Sequence, residues 1–399
     1  MPKIRIREVD NSGNGTEYQI SNTVYIPLIG DYDDDVPYKD PVLCSTKAEL
    51  DAVPDIDKNS SLGSKGYAYA CYLVDTLKTK VLVQAIKVDF ESGQWLTTVP
   101  AEIWTYVLTD KRLYDIRFLT AGVFNVLDEN MIECASKRGD CIALCNIELN
   151  KPQEIRDAVE QLKLDNDALS YGALFVPSFR AKTNLKYIGG IEGIPGAYAY
   201  LFSYIRSIQG NPEWFAVAGS ERGKVTEIDA LDQIYTSGEI EMLQGRAKSE
   251  AVDLDASGDN VGIAINPIAY IRPYGNLIWG NRTLRSNEAD TDGTGILKAQ
   301  SFLNIRNLAS MVKKKLYETS IKYTFEQNSD ILYINYESDI RPLLDLMETG
   351  NGILGYRIDK QETTKKARLK ALIKIIPIEP VEDFDLTLEM TDELSIEEE

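Results

Sequence analysis

The chain contains no histidine in 399 residues. A Ser-His-Asp or Cys-His nucleophile, a His-ligated metal and a histidine proton shuttle are therefore excluded, because each depends on an imidazole. Long apolar runs are also missing. None approaches the roughly 18–20 residues needed to cross a bilayer, and the basic start at Lys3, Arg5 and Arg7 leads into no signal-peptide core, so no direct membrane insertion is expected. Cysteine is scarce: Cys44, Cys71, Cys134, Cys141 and Cys145 are an odd number in a chain too long to need staples, and they read as reduced thiols of a protein folded in cytosol. Positive charge is the remaining shortage. The 43 Lys and Arg stand against 62 Asp and Glu, a formal net charge of −19. That balance argues against a nucleic-acid partner, which needs a net basic face to track phosphates.

The patterns that resemble chemical sites are incomplete. Cys134, Cys141 and Cys145 lie near one another, but a thiolate zinc site calls for four ligands with a close pair such as C-x-x-C. They read as buried apolar thiols, and no metal is expected. Residues 219–225 (G-S-E-R-G-K-V) look like a phosphate loop, yet one residue too few separates the glycines. Val225 also stands where Ser or Thr would bind magnesium, so no cofactor is expected. The acidic runs at Asp31, Asp33, Asp34, Asp35 and at Glu288, Asp290, Asp292 lack the EF-hand order that ends in a bidentate Glu and read as solvated loops. Arg138-Gly139-Asp140 reads as a helix end followed by a turn. No catalytic residue is assigned. The alternatives that stay open are an α/β enzyme or nucleotide-binding protein using carboxylate or lysine chemistry, and another repetitive structural protein such as a capsid or surface-layer subunit.

Strands and helices alternate from residue 23 to about 271. Strands are expected at 80–88, 115–121, 141–147 and 172–177, with helices after Pro100, over 126–137, from Pro152 to 162, and over 196–209, the last a Tyr-rich buried helix. Apolar strands with intervening helices predict an α/β fold with a mostly parallel sheet covered on both faces. A shift to Asp, Asn, Thr and Gly over 285–295 marks the boundary to a smaller C-terminal α+β domain. There, Phe302, Ile305, Leu308, Val312 and Leu316 recur at helical spacing, Lys313, Lys314 and Lys315 lie on the solvent side, a second helix covers about 340–349, and late strands cover 353–358 and 369–376. The expected division is therefore an arm at 1–22, a core domain at 23–284, a second domain at 285–377 and an acidic arm at 378–399.

The two ends look like strands with nothing local to pair with. Ile4 and Ile6 alternate with Lys3, Arg5 and Arg7, and a linker follows at 11–15. Phe384, Leu386, Leu388 and Met390 alternate with Asp385, Thr387 and Glu389, and residues 379–399 hold ten acidic side chains and no basic one. An unpaired strand is a template for addition to another sheet edge, with backbone hydrogen bonds for affinity and alternate side chains for fit.

Residues 276–284 read N-L-I-W-G-N-R-T-L. Leu277 to Trp279 suit a short apolar strand and Gly280-Asn281 a turn. This run closely resembles a signature of contractile tail sheath proteins, typically Trp-Gly-x-Arg-Thr-Leu. Residues 24–30 (V-Y-I-P-L-I-G), 117–122 (R-F-L-T-A-G), 173–178 (A-L-F-V-P-S), 214–223 (W-F-A-V-A-G-S-E-R-G) and 352–357 (G-I-L-G-Y-R) resemble further segments of that family, in its order. The resemblance implies a subtilisin-like, non-catalytic core, a C-terminal domain facing an inner tube, and terminal arms that exchange strands with neighbouring subunits. It further implies a helical homopolymer of hexameric rings around an inner tail tube protein, with baseplate and tail terminator proteins as partners, in a virion tail or tail-like particle assembled in the host bacterial cytoplasm. In this family an exposed helix grips the tube largely through charge, which by resemblance makes Lys313, Lys314 and Lys315 the candidate tube contact. Lys365, Lys366, Arg368 and Lys370 form a second basic cluster. Phage tails, tail-derived bacteriocins and injection systems share these features.

Overall fold

The structure, a computed structural model, describes residues 22–33, 36–87, 99–245, 263–285, 299–362 and 367–381. The arm residues Ile4, Ile6, Phe384, Leu386, Leu388 and Met390 lie outside the described residues, as do the loop at Glu288, Asp290 and Asp292 and the Lys365-Lys366 pair.

Residues alternate sides along a strand, so a strand that is apolar at nearly every position must be covered twice. β1 (Val24–Gly30) shows this: Val24, Ile26 and Leu28 enter one core, Tyr25 and Ile29 the other. β1 sits inside an eight-stranded sheet with β2 (Val42–Cys44), β3 (Val81–Lys87), β4 (Phe118–Thr120), β5 (Ile142–Cys145), β6 (Gly172–Val176), β9 (Asn266–Ile271) and β10 (Gly275–Ile278), in the order β10-β9-β6-β5-β4-β1-β3-β2. β3, β1, β4, β5, β6 and β9 run parallel, whereas β2 and β10 pair antiparallel at the two edges. β7 (Phe179–Ala181) and β8 (Ile228–Leu231) form a separate pair.

Helices α1 (Lys47–Ala52), α2 (Ser61–Cys71) and α6 (Gly196–Ser207) cover one face. Helices α3 (Glu129–Arg138), α4 (Pro152–Glu160), α5 (Asn166–Leu169) and α8 (Ser237–Leu243) cover the other; α7 (Gly219–Arg222) is a short turn after α6. Local sequence sets their ends. Thr46 and Glu49 form a capping box on α1. Asp128 caps α3, and Gly139, at φ +72°, closes it in the left-handed conformation. Just beyond, Arg138 and Asp140 form a buried ion pair at 3.0 Å, so the Arg-Gly-Asp run is the helix end and turn expected of it. α6 carries the predicted aromatic cluster: Tyr200 stacks on Phe175 with centroids 4.6 Å apart, and Tyr204 meets Phe118 edge-on at 4.8 Å.

Beyond the sheet, α9 (Leu303–Lys322), α10 (Asp330–Thr349) and the antiparallel pair β11 (Ile353–Lys360) and β12 (Ala371–Pro377) enclose a third, smaller core of Leu308, Met311, Val312, Ile340, Leu343, Leu344, Met347 and Ile353, joined by Trp214 from the sheet body. The expected helix at 340–349 begins ten residues earlier, at Asp330, where the Ser329 side chain caps it. Its first turns bury little, so apolar periodicity is weak there, and Pro342 lies inside the helix instead of near its start. The expected strand at 115–121 shortens to Phe118–Thr120, and the segment after Pro100 forms a π-helical turn over Ile103–Val107.

Candidate assembly site

The signature run is a buried joint between the sheet and α9. Asn266, on β9, organises it: its Nδ2 donates to the carbonyls of Leu174 (3.1 Å) and Arg282 (2.8 Å), while its Oδ1 accepts from the Arg282 backbone N–H (2.7 Å). Arg282 lies with its guanidinium 4.2 Å from the Phe302 ring centroid, a cation–π contact at the start of α9. Asn281 donates to Asn304 Oδ1 at 2.7 Å, and its carbonyl accepts from Leu303 N–H at 2.9 Å. Leu284 N–H donates to the Gly172 carbonyl at 2.8 Å, and a Cβ on Gly172 would come within 3.1 Å of the Leu284 side chain. Gly280 is required for a similar reason, since a Cβ there would lie 2.8 Å from Asn266 Oδ1. Residues 281–284 of the run therefore fix α9 to the body, while Trp279, earlier in the run, is exposed.

The three lysines of α9 do not share one exposed face, which corrects the sequence reading. Lys313 is exposed but its ammonium bonds the Tyr171 hydroxyl and lies 5.1 Å from that ring's centroid. Lys315 is half-buried and lies near Asp339, whose carboxyl is lowered first by its hydrogen bond from Lys322 and to a lesser degree by the Lys315 charge. Lys314 points inward and pairs with Asp115, just before β4. Consecutive helical residues step by about 100°, so three lysines in a row sweep too wide an arc to avoid the buried side of α9.

Burial, only partly offset by the Glu318 carboxylate, pulls the Lys314 ammonium down from 10.5 to about 8. Between these values the unfolded chain holds a proton that the folded chain has released, so the contribution of this group to stability rises with pH from about 8 to 10.5. The buried thiols, raised by burial, act in the opposite sense over the same window and are common to parent and variant. The difference in urea midpoint between the parent and Lys314→Met is therefore expected to move in the parent's favour from pH 7.5 through 9 to 10.5, and a difference that stays constant over this window would refute the assignment.

β11 and β12 form a two-stranded ribbon. One face, with Tyr356, Ile358, Ile373 and Ile375, packs toward α10. The opposite face pairs Gly355 with Ile376, Arg357 with Lys374 and Asp359 with Leu372. Leu354, Leu372 and Ile376 are exposed at 68, 42 and 59 %, next to exposed Arg357 and Lys374. This apolar face with cations at its centre was not legible from the sequence, although the alternation in A-L-I-K-I-I-P hints at it. Charge follows the same division: residues 303–377 hold 13 Lys and Arg against nine Asp and Glu, the reverse of the chain as a whole.

The patterns set aside on sequence grounds take structural roles. All five thiols are buried and free, and burial pushes Cys44 and Cys71 up to about 11 and Cys134 to about 12. In the 219–225 segment, Arg222 donates to the Ala216 carbonyl and packs on Phe215, while Lys224 bridges to Leu277 along the outer edge of β10. The Lys224 backbone thus extends the sheet edge, and Arg222 ties the segment to its own loop.

Neither a protein-family model nor a curated protein matches the chain. Solved structures do. A chain of the PVC sheath complex of an extracellular contractile injection system, in its contracted state, matches over 98 % of this chain and 98 % of that one, with a TM-score of 0.62 and 14 % identity. A chain of the anti-feeding prophage baseplate matches at TM-score 0.63 and 11 % identity, over 98 % and 99 %. A chain of the anti-feeding prophage helical sheath in its contracted state matches at 0.61 and 11 %, over 98 % and 99 %. The fold is that of the sheath proteins of contractile injection systems, matched over nearly the full length.

Proposed function

We propose that this chain is a non-enzymatic structural subunit of a contractile tail sheath. It polymerises helically, in hexameric rings, around an inner tube, and contracts to drive that tube through a target envelope. The observation that carries the proposal is the whole-length match to chains of sheath and baseplate assemblies. In this reading residues 23–284 are a subtilisin-like body and residues 285–377 a tube-facing domain; the separate core between α9, α10 and the ribbon supports that division. The partners are other copies of the chain, the tube, baseplate and terminator proteins, and the location is a virion tail or tail-like particle assembled in the host cytoplasm.

The ribbon is the receiver in the strand exchange. Among the described residues neither outer edge pairs with another strand, and its exposed face offers Leu354, Leu372 and Ile376 around Lys374 and around Arg357, which is paired with Asp359 at 2.6 Å. The segment 384–390 presents complementary chemistry, with Phe384, Leu386, Leu388 and Met390 on one side and Asp385 and Glu389 on the other. Of the α9 lysines, Lys313 and Lys315 remain the tube-contact candidates. Contraction is then a repacking between two discrete interface states, with linkers at 11–15 and 378–383 as hinges.

Negative-stain electron microscopy of the full chain, concentrated alone and with its tube protein, tests the proposal. Hollow ridged cylinders of uniform width are expected, and persistent monomers in the presence of the tube would overturn it. The doubly reversed Arg357→Glu/Lys374→Glu variant is expected to fold but to sediment as short oligomers or monomers; wild-type cylinders from it would remove the ribbon from the interface.

A further inference from the structure

Residues 211–215 (N-P-E-W-F) form the loop after α6, and two adjacent side chains in it reach opposite ends of the described chain. Glu213 accepts from Asn22 Nδ2 and from the Tyr204 hydroxyl, each at 3.4 Å, and lies 3.8 Å from the guanidinium of fully buried Arg117. Asn22 and Thr23 are the residues through which the N-terminal segment enters β1. They are held by the Thr79 hydroxyl, which donates to the Asn22 carbonyl at 3.1 Å, and by the Arg117 backbone N–H, which donates to the Thr23 carbonyl at 2.8 Å.

Trp214 reaches the other end. Its indole N–H donates to the Gly350 carbonyl at 2.9 Å. The ring fills the Gly350-Asn351-Gly352 turn so closely that a Cβ at 350 would lie 2.6 Å from Trp214 Cζ2, and one at 352 would lie 2.7 Å from Cδ1. Asn351 takes φ +56°, a conformation sustained by its surroundings. The same turn holds the departing C-terminal segment, because Ile378 N–H donates to the Gly352 carbonyl at 3.2 Å. The Trp214 carbonyl is itself fixed by Asn304 Nδ2 at 3.1 Å.

We infer that Glu213 and Trp214 are positioning residues that clamp the roots of both terminal segments to one dipeptide. A planar peptide separates their Cα atoms by about 3.8 Å, and both side chains are largely buried. Displacement of one chain end therefore reaches the other through Asn22, Glu213, Trp214, the 350–352 turn and Ile378, without passing through the sheet. Such coupling is reciprocal, because it is a free energy shared between two sites. The inference concerns a single chain and holds whether or not that chain polymerises.

Hydrogen exchange on the full chain, read amide by amide, tests it. Glu213→Gln alters contacts with Asn22, Tyr204 and Arg117 and none with the C-terminal root, whereas Gly352→Ala alters the packing of Trp214 on the C-terminal root and no contact of Asn22. Glu213→Gln is expected to speed exchange of the Gly352 and Ile378 amides about tenfold, and Gly352→Ala to speed that of Val24 and Arg117 by a similar factor. The Ala143 amide, bonded to the Tyr171 carbonyl in mid-sheet, should not change in either variant. If Gly352→Ala does not fold, Trp214→Phe, which keeps a ring and loses the donated hydrogen bond, gives the same cross-readout. Faster exchange confined to the altered root would overturn the clamp. So would faster exchange throughout the sheet, which would signify global destabilisation.

Discussion

Removal of residues 384–399 is expected to leave a folded monomer that does not polymerise. Among the described residues the three cores draw on side chains from Val24 to Ile375, all ahead of the cut, so the thermal midpoint should stay within about 2 °C of the parent. What it removes is the alternating strand with Phe384, Leu386, Leu388 and Met390, together with seven of the ten acidic groups of the last 21 residues. A strand of this length added to a ribbon edge gains several backbone hydrogen bonds at about 1 kcal/mol each. Four partly buried apolar side chains add to that. Even after ordering costs, a net of about 5 kcal/mol per contact is a several-thousandfold change in association. Sedimentation velocity and electron microscopy read it directly. Removal of residues 1–10, with Ile4 and Ile6, is expected to act in the same way, and long wild-type-like sheaths from either truncation would sink the strand-exchange reading.

The second large effect falls on stability. Asn266→Ala removes three buried hydrogen bonds to backbone groups, the carbonyls of Leu174 and Arg282 and the Arg282 N–H. Each such loss costs about 1–3 kcal/mol, so a total of about 4 kcal/mol is expected, with a fall of about 5–10 °C in thermal midpoint. Because Arg282 is stacked on Phe302, α9 should loosen with it, which limited proteolysis near residue 300 would report. Asn266→Asp, which turns a buried carboxylate oxygen toward both carbonyls, should cost at least as much as Asn266→Ala. A loss below about 1 kcal/mol in Asn266→Ala would mean that the signature run is not the joint described.

The parallel sheet was legible because β1, β3, β5 and β6 are apolar at nearly every position, a pattern that only burial on both faces explains. α9 was legible as a helix but not in its burial. Reading one stripe through Ile305, Leu308, Val312 and Leu316 passes over Asn304, Arg306, Asn307 and Ser310, which are buried as well. For Asn304, Arg306 and Asn307 burial is accepted through hydrogen bonds to distant partners: Asn304 to Trp214, Arg306 to Ser170 and Asn307 to Tyr200. Hydropathy does not register such residues, and the same blind spot put Lys314 on the surface. The signature run was recognisable as a turn, yet its role depends on Asn266 and Phe302, which short-range spacing cannot bring together. Trp214 was read only as part of a family-like segment. Its partners Gly350 and Gly352 lie more than 130 residues away, and only the folded chain juxtaposes them.

In the proposed strand exchange the ribbon receives a strand and the tail of the same chain donates one, which would give any polymer a direction. One terminus of such a cylinder would display ribbons awaiting a strand, and the other would display strands awaiting a ribbon. The molecules that begin and finish it must then differ in kind: one supplies an edge for the first tails, and the other fills the last vacant ribbons. Subunits alone would go on adding wherever either half is left unmatched.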